Sequence, residues 1–168
     1  GSIYANHVLQ IDNPKIGLLN IGSEEAKGNE LTLEAFALLK NSSLNFIGNV
    51  EGGDILTGKA HVVVCDGFVG NAILKFGESA STTIINFLKQ EVMRHPLSIL
   101  GGLLMRPALK GLRKRVEYES FGGAELLGVN GICIKAHGRA KAAAIRSAIR
   151  VAVRAVHEDI VTIMGKQL

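Results

Sequence analysis

Four short polar turns carry the residue types that could handle an anion. In the first, Asn20-Ile21-Gly22-Ser23 leads into Lys27-Gly28-Asn29-Glu30. Free backbone N–H groups, a flexible glycine and a point positive charge at an expected helix start are the parts of a phosphate cradle. The spacing matches neither the P-loop nor the dinucleotide-binding fingerprint, so a glycine-rich turn with a solvated lysine is the alternative. The second turn is Asn49-Val50-Glu51-Gly52. In the third, Asp66-Gly67-Phe68-Val69-Gly70-Asn71 runs straight into a helical pattern. Its amide donors would then face outward with the positive end of the helix dipole, or else Asp66 caps the helix and the glycines permit tight packing. The fourth, Lys135-Ala136-His137-Gly138, places a cation and a histidine at the end of an apolar run, again before a helix.

Other chemistries find less support. Cys65 and Cys133 each sit in a β-branched apolar run with no CxxC spacing and no His/Cys cluster beside them, which reads as reduced core thiols. His61 falls inside an apolar run and is expected in the core or at an edge, while His7, His95 and His157 lie in helical or junction segments. None has ligand spacing, so no metal site is expected. There is no G-x-S-x-G elbow, and no histidine is placed by sequence to make Cys65 a thiolate, which leaves covalent catalysis the weaker option.

Turns like these need elements that bring them to one edge. Residues 15–20, 44–47, 60–65 and 131–134 are short apolar runs bounded by turn residues, the pattern of strands buried on both faces. Leu31, Ala35, Phe36, Leu38 and Leu39 recur at helical spacing after Asn29, a good N-cap with Glu30 in the first turn, and that helix is expected to pack on the sheet. A long amphipathic helix is expected over 139–163, with Ile145, Ala148, Ile149, Ala152, Val153, Val156 and Ile160 on one face and Arg146, Arg150 and Arg154 on another. Such alternation predicts an α/β fold, a parallel sheet with helices on both faces. Ligands in these folds bind beyond the carboxyl ends of the strands, where the polar turns fall.

A chain of 168 residues fits one domain and buries about two thirds of its unfolded surface, so no disulfide or metal staple is needed. Hydrophobic residues at 47% and charged residues at 20% are ordinary for a globular protein, and no apolar stretch approaches the roughly 20 residues of a membrane span. The first residues show no basic start followed by an apolar stretch, so no secretory leader is expected, and the reduced thiols suit a cytoplasmic setting. A net charge of +4 and a pI of about 9.2 favour anionic partners. Nucleic acid is the least favoured of these, because the charge falls in helical stripes, aromatics are 5% and no recognised binding module is present.

One segment breaks the alternation. From Pro96 it reads Leu97-Ser98-Ile99-Leu100-Gly101-Gly102-Leu103-Leu104-Met105, followed by Arg106, Lys110, Arg113, Lys114 and Arg115. Too short to span a bilayer, such a stretch can lie in its interface, where each nearby Lys or Arg adds about 1 kcal/mol on an anionic leaflet. Leu97, Ile99, Leu100, Leu103 and Leu104 are the membrane-contact candidates. The alternative is a helical hairpin that buries Leu97, Ile99, Leu103 and Leu104 against a second subunit, and both can hold together.

The order of the turns is more specific than any one of them. Gly-Leu-Leu-Asn-Ile-Gly at 17–22, the Lys27 turn, Asn45-Phe46-Ile47-Gly48-Asn49-Val50-Glu51-Gly52, Val63-Val64-Cys65-Asp66-Gly67-Phe68-Val69-Gly70-Asn71 and Leu127-Gly128-Val129-Asn130-Gly131 together resemble the PlsX-type phosphate acyltransferases over essentially the whole chain. The resemblance implies transfer of a fatty acyl group from acyl carrier protein to inorganic phosphate, giving acyl phosphate for phospholipid synthesis, without metal, nicotinamide or other cofactor. It also implies a homodimer with a three-layer, doubly wound, mostly parallel α/β sheet related to isocitrate and isopropylmalate dehydrogenases. Peripheral membrane association through helices matching 82–116 follows in the same way. Against a typical member, the chain corresponds to the carboxyl-terminal portion, with Gly1-Ser2-Ile3-Tyr4-Ala5 resembling family interior. Site residues from the other half would then be absent, and activity of the chain alone is in question.

By chemistry, Lys27 and the amides of 67–71 are expected to hold phosphate, Asn29, Asn49 and Asn71 to position it or the thioester oxygen, and His137 with Lys135 to donate to developing charge. Gly28, Glu51, Asp66, Gly67, Gly70 and Asn130 complete the expected binding set. Basic residues within 106–115 and 146–154 are candidates for docking an acidic carrier protein. The rival readings are a phosphotransacetylase-like enzyme using acyl-coenzyme A, and a non-catalytic lipid-surface scaffold that binds acyl carrier protein.

Overall fold

All four residues of Ile16–Leu19, strand β1, are buried in the computed structural model of the protein, which describes residues 1–116, 123–138 and 140–167. The reason is position. β1 is the middle strand of a parallel sheet ordered β2-β1-β3, with β2 at Phe46–Val50 and β3 at Val62–Val64, so helices or loops must cover both of its faces. Gly17 is small because the sheet is tight there: a Cβ would lie 2.6 Å from Val50 Cγ1 and 3.1 Å from Ala60 Cβ.

This sheet belongs to the first of two compact units, Gly1–Gly70 with Arg154–Leu168; the second is Asn71–Val153. Helix α1, Ser2–His7, precedes β1 and packs against α8, Ile160–Gln167, with Ala5 and Ile160 buried. Helix α2, Glu30–Lys40, follows β1 and starts as expected at Asn29. Of its expected apolar face only Phe36 is fully buried, its ring edge-on to Phe46 with centroids 5.2 Å apart, whereas Leu31 and Leu38 are exposed. Helix α3, Gly52–Thr57, joins β2 to β3 and ends at Gly58, whose φ of 71° is a left-handed cap.

Strand β2 runs further than its apolar residues foretell. Ile16 pairs with Phe46 but Leu18 pairs with Asn49, so β2 carries one extra residue, taken up at Gly48 with φ of 90°. A bulge with glycine in this conformation turns the next side chains relative to the sheet, and Asn49 and Val50 are buried in succession.

The second unit holds most of α4, Gly67–Val92, then α5, Pro96–Leu104, and α6, Arg106–Val116. Gly102 lets α5 approach the end of α4, since a Cβ would stand 2.6 Å from Val92 Cγ1. The run expected as a fourth parallel strand is instead part of a separate antiparallel pair, β4 Ala124–Glu125 with β5 Ile134–Lys135, extended by Leu126 N–H donating to the Cys133 carbonyl at 2.8 Å. Its connection is a short turn through Gly128, and a turn of that length can only join antiparallel strands.

The long terminal helix is two helices. Helix α7, Ala142–His157, stops where Asp159 takes φ of 48°, and α8 begins with Thr162 Oγ1 donating to Asp159 Oδ1 at 2.8 Å. Arg139, its expected start, lies outside the described residues. Within the second unit α7 buries Ala148 of the expected face together with Ala144, whereas Ile145, Ile149 and Val153 are exposed. Small side chains face inward because Gly123 comes close; a Cβ on it would be 3.5 Å from that of Ala148. The cysteines also depart from expectation: Cys65 and Cys133 are exposed free thiols. Both sit just outside short marginal strands, Cys65 after the edge strand β3 and Cys133 before β5.

Candidate active site

The strand order brings three turns to one edge of the first unit's sheet. The Asn20 loop leaves β1 in the middle, Asn49 to Glu51 lie at the end of β2 on one side, and Cys65 to Gly67 leave β3 on the other. Asn20 N–H donates to the Val50 carbonyl at 2.9 Å, continuing the ladder one residue beyond β1.

The loop between β1 and α2 is tied down at named atoms. Asn20 Nδ2 donates to the Lys27 carbonyl at 2.8 Å, and its Oδ1 accepts from Ile21 N–H at 2.8 Å. Asn49 Nδ2 donates to the Glu24 carbonyl at 2.8 Å, and that carbonyl also accepts Lys27 N–H at 3.2 Å. Asn49 is only 3% exposed, and its Oδ1 is buried without a hydrogen-bond partner among the described residues. Glycine is needed at two places: at Gly22 a Cβ would come 3.1 Å from Lys27 Cγ, and at Gly28, with φ of 111°, it would strike Thr32 Oγ1 and lie 2.7 Å from Asn20 Oδ1. Among the described residues the Lys27 ammonium makes no ion pair or hydrogen bond, whereas neighbouring Lys40 is bound to Glu25 at 2.8 Å.

The helix starts around the edge are capped from within. Asn29 Oδ1 accepts from Thr32 N–H at 3.0 Å while Asn29 N–H donates to Thr32 Oγ1 at 2.9 Å, closing a capping box at α2. Glu51 N–H donates to Asp54 Oδ2 at 3.0 Å, and Lys59 Nζ lies 2.9 Å from the same oxygen. Both contacts hold the Asp54 carboxyl below its ordinary range, the backbone donor contributing most. At α4, Asp66 Oδ1 accepts from both Phe68 and Val69 N–H at 2.9 Å. Two of the amides expected to face an anion are thus turned to their own chain's carboxylate. Gly70 lies against Cys65, where a Cβ would be 2.8 Å from Sγ. Crowding around the thiol, and secondarily the Asp66 carboxylate, push Cys65 above its ordinary value.

The structure therefore gathers Lys27, Gly28, Asn29, Asn49, Glu51, Asp66, Gly67 and Gly70 within the first unit, and Asn71, Asn130, Lys135 and His137 belong to the second. There, Asn130 and Lys135 are exposed, and His137 Nε2 is 3.6 Å from Glu78 Oε2. Asn20 was read only as part of the first turn and not as the residue that holds the loop; the available signal was an amide directly after a fully apolar strand and before a glycine-rich turn. On α5, Leu97 and Leu104 are 81% and 77% exposed, and Ile99, Leu100 and Leu103 are exposed as well. No described helix is long and apolar enough to cross a membrane, and no cluster of three or more His, Cys, Asp and Glu that could hold a metal occurs among the described residues.

Comparison with known proteins gives a consistent result. The family model for the fatty acid synthesis protein matches residues 1–163. Phosphate acyltransferases of Moorella thermoacetica, Heliobacterium modesticaldum and Thermoanaerobacterium thermosaccharolyticum are 53%, 50% and 52% identical to the chain over 165, 168 and 168 residues. Those alignments cover 98%, 100% and 100% of this chain but 49%, 50% and 50% of the relatives. The chain spans about half the length of the curated relatives it matches.

Proposed function

This chain belongs to the fatty acid synthesis protein family, and from that premise we propose that it is part of a phosphate acyltransferase that moves a fatty acyl group from acyl carrier protein to inorganic phosphate. The observation that carries the site assignment is the Lys27 ammonium, unpaired among the described residues, on a loop tied down at the carboxyl edge of a parallel sheet. Phosphate is an anionic nucleophile at neutral pH and the carrier-protein thiolate is a good leaving group, so holding and charge stabilisation outweigh proton transfer. A phosphate oxygen attacks the thioester carbonyl carbon, the C–O bond forms, and the tetrahedral intermediate expels the thiolate as the C–S bond breaks. Lys27 holds the phosphate through the reaction; Gly28 lets the chain turn beside it, and Asn29, Asp66, Gly67 and Gly70 shape the flanking helix starts.

The whole protein takes the three-layer fold of the isocitrate and isopropylmalate dehydrogenases and works as a cytoplasmic homodimer docked peripherally on an anionic membrane. Support for docking comes from the exposed leucines of α5 followed at once by basic α6. Liposome sedimentation with and without anionic lipid tests it, comparing the parent with Leu103→Glu and Leu104→Glu; binding unchanged by both would exclude α5 as the contact.

Product analysis of the full-length protein with phosphate and either acyl-carrier protein or acyl-coenzyme A tests the activity. Acyl phosphate formed from the carrier-protein thioester is the expected result. Acyl phosphate from coenzyme A alone would favour a phosphotransacetylase-like enzyme, and binding of carrier protein without product would favour a scaffold. Lys27→Met should lower kcat/KM for phosphate about ten- to a hundredfold, the worth of a charged hydrogen-bonding group. His137→Gln, expected to lower kcat by about two orders of magnitude if it handles a proton, asks whether the second unit contributes.

A further inference from the structure

We propose that Asn20 and Asn49 are positioning residues, which fix the backbone of Lys27 at both of its polar groups, and that Asn49 does not touch phosphate. The inference rests on the reading of Lys27 as the phosphate-holding cation. Asn49 is withheld from an anion by burial: it is 3% exposed, one N–H of its amide donates to the Glu24 carbonyl, and its Oδ1 is a buried acceptor. An acceptor oxygen repels an anionic one. Asn20 places one of its two side-chain N–H donors on the Lys27 carbonyl and accepts Ile21 N–H at its Oδ1.

What the two amides do hold is one residue. The Lys27 carbonyl hangs from Asn20, and Lys27 N–H donates to the Glu24 carbonyl that Asn49 grips. The anchors themselves stand on adjacent parallel strands joined by Asn20 N–H to the Val50 carbonyl, so the rigidity of the sheet passes to the loop. Little else fixes that loop, because Ile21, its one large apolar side chain, is 82% exposed. The glycines fit the same design: Gly22 clears space for the lysine stem and Gly28 for the Asn20 carboxamide. A lysine has about 2 kcal/mol of rotamer freedom, and fixing its Cα leaves only the side chain to be ordered when the anion arrives.

The test is steady-state kinetics of the full-length enzyme with phosphate varied, for Asn20→Ala, Lys27→Met and the double variant, with folding checked by circular dichroism. Asn20→Ala should raise the phosphate KM about tenfold, the loss of one well-placed hydrogen bond, with kcat and the carrier-protein KM within about twofold of the parent. In the Lys27→Met background Asn20→Ala should add nothing. An equal effect in both backgrounds, or a fall in kcat at constant phosphate KM, overturns the proposal while leaving Lys27 in its role. If Lys27→Met itself leaves the phosphate KM unchanged, the Lys27 reading fails and this one falls with it. Should Asn20→Ala not fold, the uncharged and nearly isosteric Asn20→Leu takes its place, removing both side-chain hydrogen bonds without adding a charge beside the anion.

Discussion

Replacing Gly28 and Gly48 by alanine, one at a time, separates backbone strain from steric conflict at this edge. Both glycines have positive φ, 111° and 90°, where a side chain costs about 1–3 kcal/mol. At Gly48 a Cβ meets nothing within 4 Å, so strain is the whole penalty. At Gly28 the Cβ would strike Thr32 Oγ1 and sit 2.7 and 2.8 Å from the two polar atoms of the Asn20 carboxamide. Relief requires giving up either the Thr32 half of the α2 capping box or the Asn20 bond to Lys27, each worth about 1 kcal/mol. Gly28→Ala is therefore expected to be less stable than Gly48→Ala by about 1–2 kcal/mol. For a chain of this size that is a difference in Tm of about 2–8 °C, read by thermal and urea unfolding followed by circular dichroism. Gly53→Ala, where a Cβ also meets nothing and φ is not positive, is the control and should be neutral or slightly stabilising. Coincident melting of the Gly28 and Gly48 variants would refute the packing argument, because it would leave strain as the only common penalty.

Three further outcomes follow from packing and charge. Phe36→Ala should destabilise by about 3–5 kcal/mol through loss of a buried ring, against less than about 0.5 kcal/mol for Leu38→Ala on the exposed side of the same helix; urea midpoints compare them. Cys65 should react slowly with iodoacetamide at pH 8, because crowding and the nearby Asp66 carboxylate hold it protonated, and Asp66→Asn should quicken the reaction, followed by mass spectrometry. Burial raises the Glu125 carboxyl above its ordinary value, so the folded state binds that proton more tightly than the unfolded. Its stability contribution is present below the unfolded value and is lost as pH rises through the raised one. Glu125→Gln should therefore match the parent at pH 3 and exceed it in stability at pH 7 in urea titrations.

Much of this site was legible because strand ends and helix starts have strong local chemistry. Asn29 reads as an N-cap from its neighbours alone, and the polar turns after 15–20 and 60–65 sit where a parallel sheet must end. What each turn does with its donors was not legible. The Asp66 turn was consistent with framing an anion or with capping, and only the fold shows both the Phe68 and Val69 amides on its carboxylate. Nor was the burial of Asn49 legible: the bulge at Gly48 keeps it in β2, where it is 3% exposed.

Periodicity failed where more than one face was apolar. On α7 the expected stripe held both large residues and Ala148, yet only its small member is buried there, with Ala144 beside it and Gly123 packed close. The sequence by itself determined the three parallel strands, the Asn29 cap and the family, all of which depend on neighbours within a few residues or on the order of motifs. Tertiary structure alone decided which strands pair, which thiols are exposed and how Asn20 and Asn49 meet at Lys27. Those outcomes depend on hydrogen bonds between strands far apart in the chain, and no local pattern encodes their register.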